Sequence, residues 1–228
     1  MIQLVHEIPE DINILTLSKE SAHRVKKVLR KRPGDEIHIL DPWKNLMAKS
    51  VLKEHTLLEI VDRIPTGLDP HLDLRIWAGN LKTDRLEEAG LRCFELGLKS
   101  FGIFRAGRSQ KPVSEKLVGR LERLAISGLE QSGRKHLPEI VSVFDFPSAL
   151  QRDVSEDRQI YLFDLRGENV PVQPTFPATV FVGPEGGFTS EEVDLALGKG
   201  AKIVKLPGHV LRAETALVCL ATKFLYQQ

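Results

Sequence analysis

Val180-Phe181-Val182 runs without a break into Gly183-Pro184-Glu185-Gly186-Gly187-Phe188, and Thr189 and Glu192 then stand at the spacing of a capping box. An apolar run, a glycine loop and a capped helix in immediate succession form the strand-turn-helix unit of an open α/β sheet. In such sheets ligands bind at the carboxyl ends of the strands. Three glycines in five residues let the backbone come close to a ligand, because no side chain intervenes. A tight strand-to-helix turn favours glycine for its own reasons, so the loop alone leaves both readings open.

The surrounding pattern agrees with that unit. Leu74 to Gly79, Gln159 to Leu165, Ala178 to Gly183 and Ala201 to Leu206 have buried-strand character. Asp84 and Glu87 are spaced as a capping box that opens a helix with Leu86, Ala89, Cys93 and Leu96 inward, stopped by Gly97. A longer helix is predicted over Ser114 to Glu130, with Leu117, Leu121, Leu124, Ala125 and Leu129 as its stripe, and a last one over Glu214 to Tyr226. Strands separated by helices predict an α/β domain with a mostly parallel sheet covered on both faces.

The amino-terminal part reads differently. Ser18 caps a short helix with Ala22, Val25 and Leu29 on one face, Pro33-Gly34 makes a turn, and strand-like runs follow at Glu36 to Leu40, Leu46 to Lys53 and Thr56 to Asp62. These predict a small antiparallel barrel or sheet. Ile64 to Pro70 holds two prolines and a glycine and reads as a linker, dividing the chain into domains 1–70 and 71–228.

Charge is distributed unevenly behind a net +1. Lys19 to His38 has seven Lys/Arg against three acids and Arg75 to His136 thirteen against seven, whereas Glu139 to Gly200 has four against eleven. Two basic blocks in a near-neutral chain fit a protein that meets a polyanion with part of its surface, or merely solvated helix faces. No apolar run approaches the roughly 18 residues of a membrane span, and the amino terminus has no basic region leading into an apolar stretch. Cys93 and Cys219 are isolated, and His6, His23 and His136 have no metal-ligand spacing. A cytoplasmic protein without a metal or a membrane partner is expected.

The glycine loop matches neither phosphate pattern, G-x-x-x-x-G-K-[ST] nor G-x-G-x-x-G. Pro184 has no N–H, and Glu185 puts negative charge where a phosphate would sit. An anionic ligand is disfavoured, which weakens a phosphate-binding hydrolase or kinase; a cationic or zwitterionic ligand with an adenine to bury is acceptable. A second loop, Leu206-Pro207-Gly208-His209-Val210-Leu211-Arg212-Ala213-Glu214-Thr215, follows another strand. If its end is extended, Arg212 and Glu214 point the same way; if it is helical they diverge.

Gly183-Pro184-Glu185-Gly186-Gly187-Phe188 together with Leu211-Arg212-Ala213-Glu214-Thr215-Ala216 closely resembles the bacterial 16S ribosomal RNA uridine-N3 methyltransferases, the RsmE family of the SPOUT superfamily. Glu95-Leu96-Gly97 and Glu130-Gln131-Ser132-Gly133-Arg134 resemble its two upstream motifs, and His23 to Arg30 with Gly34-Asp35 and the strands after them resemble its small PUA-like RNA-binding barrel. One departure stands before Glu95, where Leu91-Arg92-Cys93-Phe94 replaces the expected lysine and small residue.

The resemblance implies a trefoil-knotted catalytic domain, a homodimer, S-adenosylmethionine as methyl donor, and 16S rRNA of the small ribosomal subunit as partner. The cofactor contacts it implies fall on Leu162 and Phe163, on Gly183, Pro184, Glu185, Gly186 and Gly187, and on Leu206, Gly208, Val210, Leu211 and Thr215. N3 of uridine attacks well only after losing its proton, so a base, or a cation that stabilises the ring anion, is needed. Arg212, Glu185 and Glu214 are the candidates, with Glu214 alternatively holding Arg212 in place. Arg24, Lys27, Arg30, Arg105, Arg108, Lys111 and Arg134 are candidate phosphate contacts, whose binding should weaken steeply with salt. Another SPOUT enzyme acting on transfer RNA or on ribose, and a non-catalytic RNA-binding assembly factor, are the competing readings.

Overall fold

A computed structural model describes residues 3–67, 72–109, 113–170 and 174–226. The chain divides into two compact units, one of Met1–Asp69 with Leu129–Leu137 and one of Pro70–Gly128 with Pro138–Gln228.

In the first unit the elements are β1 (Gln3–Val5), β2 (Ile14–Thr16), α1 (Lys19–His23) continued by a π-helical turn (Arg24–Val28), β3 (Glu36–Asp41), β4 (Leu46–Glu54) and β5 (Leu57–Pro65). Ser18 caps α1 as expected, its Oγ accepting from the Ser21 N–H. Val25 is buried, and Ala22 and Leu29 pack against a core of Leu4, Ile8, Ile37, Ile39, Leu52 and Leu58. The strands form a sheet in the order β1-β3-β4-β5-β2. The three strands expected to pair antiparallel do so, β3 with β4 and β4 with β5, and β1 adds a parallel edge beside β3. The linker reading is corrected: Ile64 and Pro65 close β5, opposite Met47 and Leu46. A proline at the strand end removes only a terminal ladder bond. Leu68, Asp69 and Pro70 of that stretch lie outside the described residues. Glu130 also belongs to this unit, accepting from the Val5 N–H at 3.0 Å and pairing with Arg24.

The second unit is built from β6 (Leu74–Gly79), α2 (Thr83–Glu95), β7 (Ser100–Phe104), most of α3 (Glu115–Ser132), β8 (Glu139–Ser142), α4 (Phe146–Ser155), β9 (Gln159–Asn169), β10 (Ala178–Val182), α5 (Ser190–Gly198), β11 (Lys202–Lys205) and α6 (Ala213–Leu225). Its sheet has the order β11-β9-β10-β6-β7-β8, and every pairing described in it is parallel. Alternation along the strands sends side chains to both faces. On one face Trp77, Phe104, Ile160, Leu162 and Phe181 pack with Phe146 and Leu150 of α4 and with Val193 and Ala196 of α5. On the other, Tyr161 meets Phe224 of α6 and Phe101 meets Phe94 of α2, with ring centroids 5.1 and 5.6 Å apart. Trp77 stacks on Phe181, and a Cβ on Gly102 would collide with the indole.

The capping box expected at Asp84 and Glu87 is not formed. Lys82 precedes the helix without a side-chain cap, and Glu87 instead accepts from Arg120 of α3 at 3.0 Å. Asp84 lies in the first turn, where its charge still favours the positive end of the helix dipole. Near the amino ends of the strands, Asp153 of α4 is fully buried. It accepts from Arg75 and from Trp77 Nε1, each at 2.5 Å, and from Thr179 at 3.1 Å. Burial pushes its carboxyl above the usual range, with the Arg75 charge and these hydrogen bonds opposing.

Candidate active site at the carboxyl ends of β9 and β10

β6 and β10 are neighbours, yet the chain leaves them in opposite directions along the sheet, through α2 to β7 and through α5 to β11. Such a divergence opens a crevice outside the carboxyl ends of the strands. On the β10 side of that divergence, a cleft of about 550 Å³ lies at the carboxyl ends of β9, β10 and β11, walled by Phe163 to Arg166, by Val182 to Phe188, by Leu206 with His209 to Ala213, and by Arg108. That volume is in the range of small-molecule sites.

Each wall has a local cause. The glycine loop turns tightly, with the Gly187 N–H donating to the Pro184 carbonyl at 2.8 Å and Gly187 at φ 67°. Phe188 then plugs into the core against Phe104 and Phe146. Thr189 and Glu192 form the predicted capping box at the start of α5. Glu192 accepts in addition from the Gly107 N–H at 2.8 Å, and Arg108 donates to the Gly186 carbonyl at 2.7 Å. The loop is therefore strapped from the segment after β7. Beneath it, Gly79 is the floor: a Cβ there would lie 2.7 Å from both Pro184 Cδ and N.

Of the expected cofactor contacts, Phe163, Gly183, Pro184, Glu185, Gly186, Gly187, Leu206, Val210 and Leu211 line the cleft. Leu162 is fully buried in the core, pointing to the opposite face of β9 from Tyr161. Gly208, at φ 109°, and Thr215 are exposed and stand outside the lining. Arg212 is the residue before α6, with extended backbone, and lines the cleft; Glu214 is already helical. The two side chains therefore diverge, and Glu214 pairs with Arg85 of α2 instead, Nε to Oε1 3.7 Å. Arg85 also donates to Glu185 at 3.4 Å.

Among the expected phosphate contacts, Lys27, Arg30 and Arg105 are exposed, Arg134 is half-buried, Arg24 is engaged by Glu130, and Arg108 lies in the cleft. Lys111 lies outside the described residues. Residues that the sequence reading missed are Asp164, Arg166, His209 and Arg85. Asp164 and Arg166 are two apart on a strand and share a face. Hydrogen bonds from Arg166 hold the Asp164 carboxyl below its usual value.

Chemically the cleft offers apolar walls, peptide groups and two carboxylates, Asp164 and Glu185, with Arg108, Arg166 and Arg212 at its margins. In the glycine loop Pro184 has no N–H to offer, and Gly187 donates its own within the turn. The lining thus carries charges of both signs with apolar surface between them, which suits a zwitterionic ligand with an apolar body.

Residues 69–224 match the RNA methyltransferase domain family, and the chain belongs to that family. Its relatives narrow the kind. The Ribosomal RNA small subunit methyltransferase E of Synechocystis sp. is 27% identical over 212 residues, which cover 89% of this chain and 69% of that protein. The protein of the same name from Bacillus subtilis is 26% identical, covering 99% of this chain and 95% of its own. In fold, the chain is similar to a solved Ribosomal RNA small subunit methyltransferase E from Neisseria gonorrhoeae bound to S-adenosyl methionine. That structure is 24% identical with a TM-score of 0.81, over 97% of this chain and 95% of that one. The resemblance to the RsmE family read from the two carboxyl-terminal motifs is borne out by these relatives. No helix among the described residues is long and apolar enough to cross a membrane.

Proposed function

We propose that this chain transfers a methyl group from S-adenosylmethionine to N3 of a uridine in 16S rRNA of the small ribosomal subunit, acting in the cytoplasm as a homodimer. One observation carries the reading: a cleft with apolar walls and charges of both signs lies at the β9 and β10 ends, beside a glycine loop that matches neither phosphate-binding pattern, in a member of the RNA methyltransferase family. S-adenosylmethionine, when bound, supplies an electrophilic methyl on a sulfonium sulfur. Phe163, Val182, Leu206, Val210 and Leu211 are the apolar surface to hold it, with the backbone of Gly183 to Gly187 beside them. Asp164 is an anion suited to its positive groups.

The remaining work falls to polar side chains of the chain itself. N3–H of uracil must lose its proton as the nitrogen attacks, and Glu185 or Glu214 is the acceptor in this reading. Arg212, at the cleft wall, stabilises the negative charge that develops on the ring oxygens or anchors a neighbouring phosphate. Arg108 is committed to the Gly186 carbonyl and acts first on the loop. Residues 1–70 are read as a PUA-like barrel that grips RNA through exposed cations such as Lys27 and Arg30, and 71–228 as the SPOUT catalytic domain. A trefoil knot belongs to this reading, and the strand order is compatible with it: β10 lies between β9 and β6, and the chain leaving it passes β9 to reach β11.

The test is incubation of the purified chain with S-adenosylmethionine and small ribosomal subunits from a strain lacking the modification, followed by nucleoside mass spectrometry. N3-methyluridine in 16S rRNA is the expected product. A ribose methyl, or methylation confined to transfer RNA, would replace the substrate assignment. Cofactor binding without any methyl transfer would favour the assembly factor.

A further inference from the structure

Glu185 is flanked by Pro184 and Gly186 on a loop whose own hydrogen bonds are made by backbone, so nothing within the loop fixes the carboxylate. The fixing group comes from elsewhere. Arg85, in the first turn of α2, donates from Nη1 to Glu185 Oε1 at 3.4 Å, and its Nε stands 3.7 Å from Glu214 Oε1 in the first turn of α6. One guanidinium thus joins two carboxylates about thirty residues apart in sequence, each from a different element. An arginine fork presents Nε and Nη1 to two partners in a fixed planar geometry, whereas a lysine ammonium is a compact point charge on a flexible stem. Glu214 Oε2 is buried without a hydrogen-bond partner among the described residues, so no other donor competes with Arg85 for that carboxylate. The two acids differ in what they face: Glu185 lines the cleft, and Glu214 does not.

The geometry points to Arg85 as a positioning residue of the methyl transfer: Glu214 anchors its guanidinium, and Arg85 holds Glu185 against the cleft as the proton acceptor. This rests on the reading under Proposed function and chooses between the two acids left open there. In the step, the N3–H proton passes to the Glu185 carboxylate while the nitrogen electron pair forms the N3–CH3 bond. The pair of the broken C–S bond stays on sulfur as a neutral thioether, and Glu185 later returns its proton to water. A misplaced general base costs roughly a hundredfold in rate for about 1 Å, with little effect on binding.

The experiment measures methylation of small ribosomal subunits, with varied S-adenosylmethionine, by the intact chain and by Arg85→Met, Arg85→Lys, Glu185→Gln and the double variant Arg85→Met/Glu185→Gln. Cofactor affinity is measured separately by calorimetry. Arg85→Met is expected to lower kcat about a hundredfold, with KM for the cofactor and the calorimetric Kd within about threefold of the parent. Arg85→Lys should recover part of the loss, and the double variant should be no slower than Glu185→Gln alone, because Arg85 acts only through that carboxylate. An unchanged kcat in Arg85→Met, a fall in cofactor affinity equal to the fall in rate, or multiplying losses in the double variant would each overturn the assignment. If the parent binds cofactor but methylates no rRNA, the reading under Proposed function falls and takes this one with it. If the parent is active and Arg85→Met is equally so, only the role of Arg85 falls.

Discussion

Gly79→Ala is the smallest change that should cripple the cleft without touching a polar group. Gly79 ends β6 under the glycine loop, and a methyl there would sit 2.7 Å from Pro184 Cδ and N and 3.0 Å from the Gly183 carbonyl carbon. Carbon contacts are comfortable at about 3.5–4.0 Å, so the loop must retreat by roughly 1 Å. Neither neighbour can swing aside, since one is a proline ring with fixed φ and the other is backbone. Overpacking of this kind costs about 1–3 kcal/mol. If the loop must be pushed back against that strain to close on S-adenosylmethionine, the affinity falls about 5- to 150-fold, at roughly 1.4 kcal/mol per tenfold. Calorimetric titration of Gly79→Ala against the parent reads this directly. Gly198→Ala is the control, because a Cβ there meets nothing within 4 Å. An unchanged dissociation constant in a folded Gly79→Ala protein would refute the claim that β6 sets the height of the loop.

Two further outcomes follow from charge. Asp153→Ala leaves the Trp77 N–H buried without its acceptor, while Arg75 keeps Glu156 at 2.9 Å and Ser100 at 3.2 Å, a loss of about 1–3 kcal/mol. At about 2–4 °C per kcal/mol for a chain of this size, the melting temperature should drop by roughly 2–12 °C in scanning calorimetry, and a shift under about 1 °C would contradict it. Asp164 is held below its ordinary value by Arg166, so its contribution to stability is present above about pH 4 and is lost as pH falls through the lowered folded value. The stability gap between the parent and Asp164→Asn, measured by urea unfolding, should shrink below that pH; a gap independent of pH would remove the Arg166 interaction as its cause.

Much of the second unit was legible because its signals are local. β6 was predicted with its observed ends, and the Thr189–Glu192 capping box formed as spaced. Elements that depend on distant partners were not legible. β7 carries Gly102, a poor strand residue, and only the Trp77 ring that fills the space explains it. β1, β2 and β8 are three or four residues long, too short for any period to register. α4 carries a start signal in its own sequence, Asp145 as cap with Pro147 in the first turn. At the site, the two loops could be read from glycine spacing and strand ends. Arg85 could not, because it is brought to Glu185 and Glu214 by the packing of α2 beside α6. The false capping box has the same origin, since Glu87 is drawn off by Arg120 of another helix.

The place of β10 in its sheet bears on how the chain is made. β10 pairs with β6, Ala178 opposite Leu74, about a hundred residues later in synthesis. At roughly 5–20 residues per second, the ribosome leaves β6 without that neighbour for about 5–20 s. β6 is buried along its whole length in the finished protein. During that interval one side of an apolar strand stands open to pairing with other chains, the hazard that edge strands pose in general. The strand whose carboxyl end runs into the glycine loop is thus also the one that joins β9 to β6 in the nascent sheet.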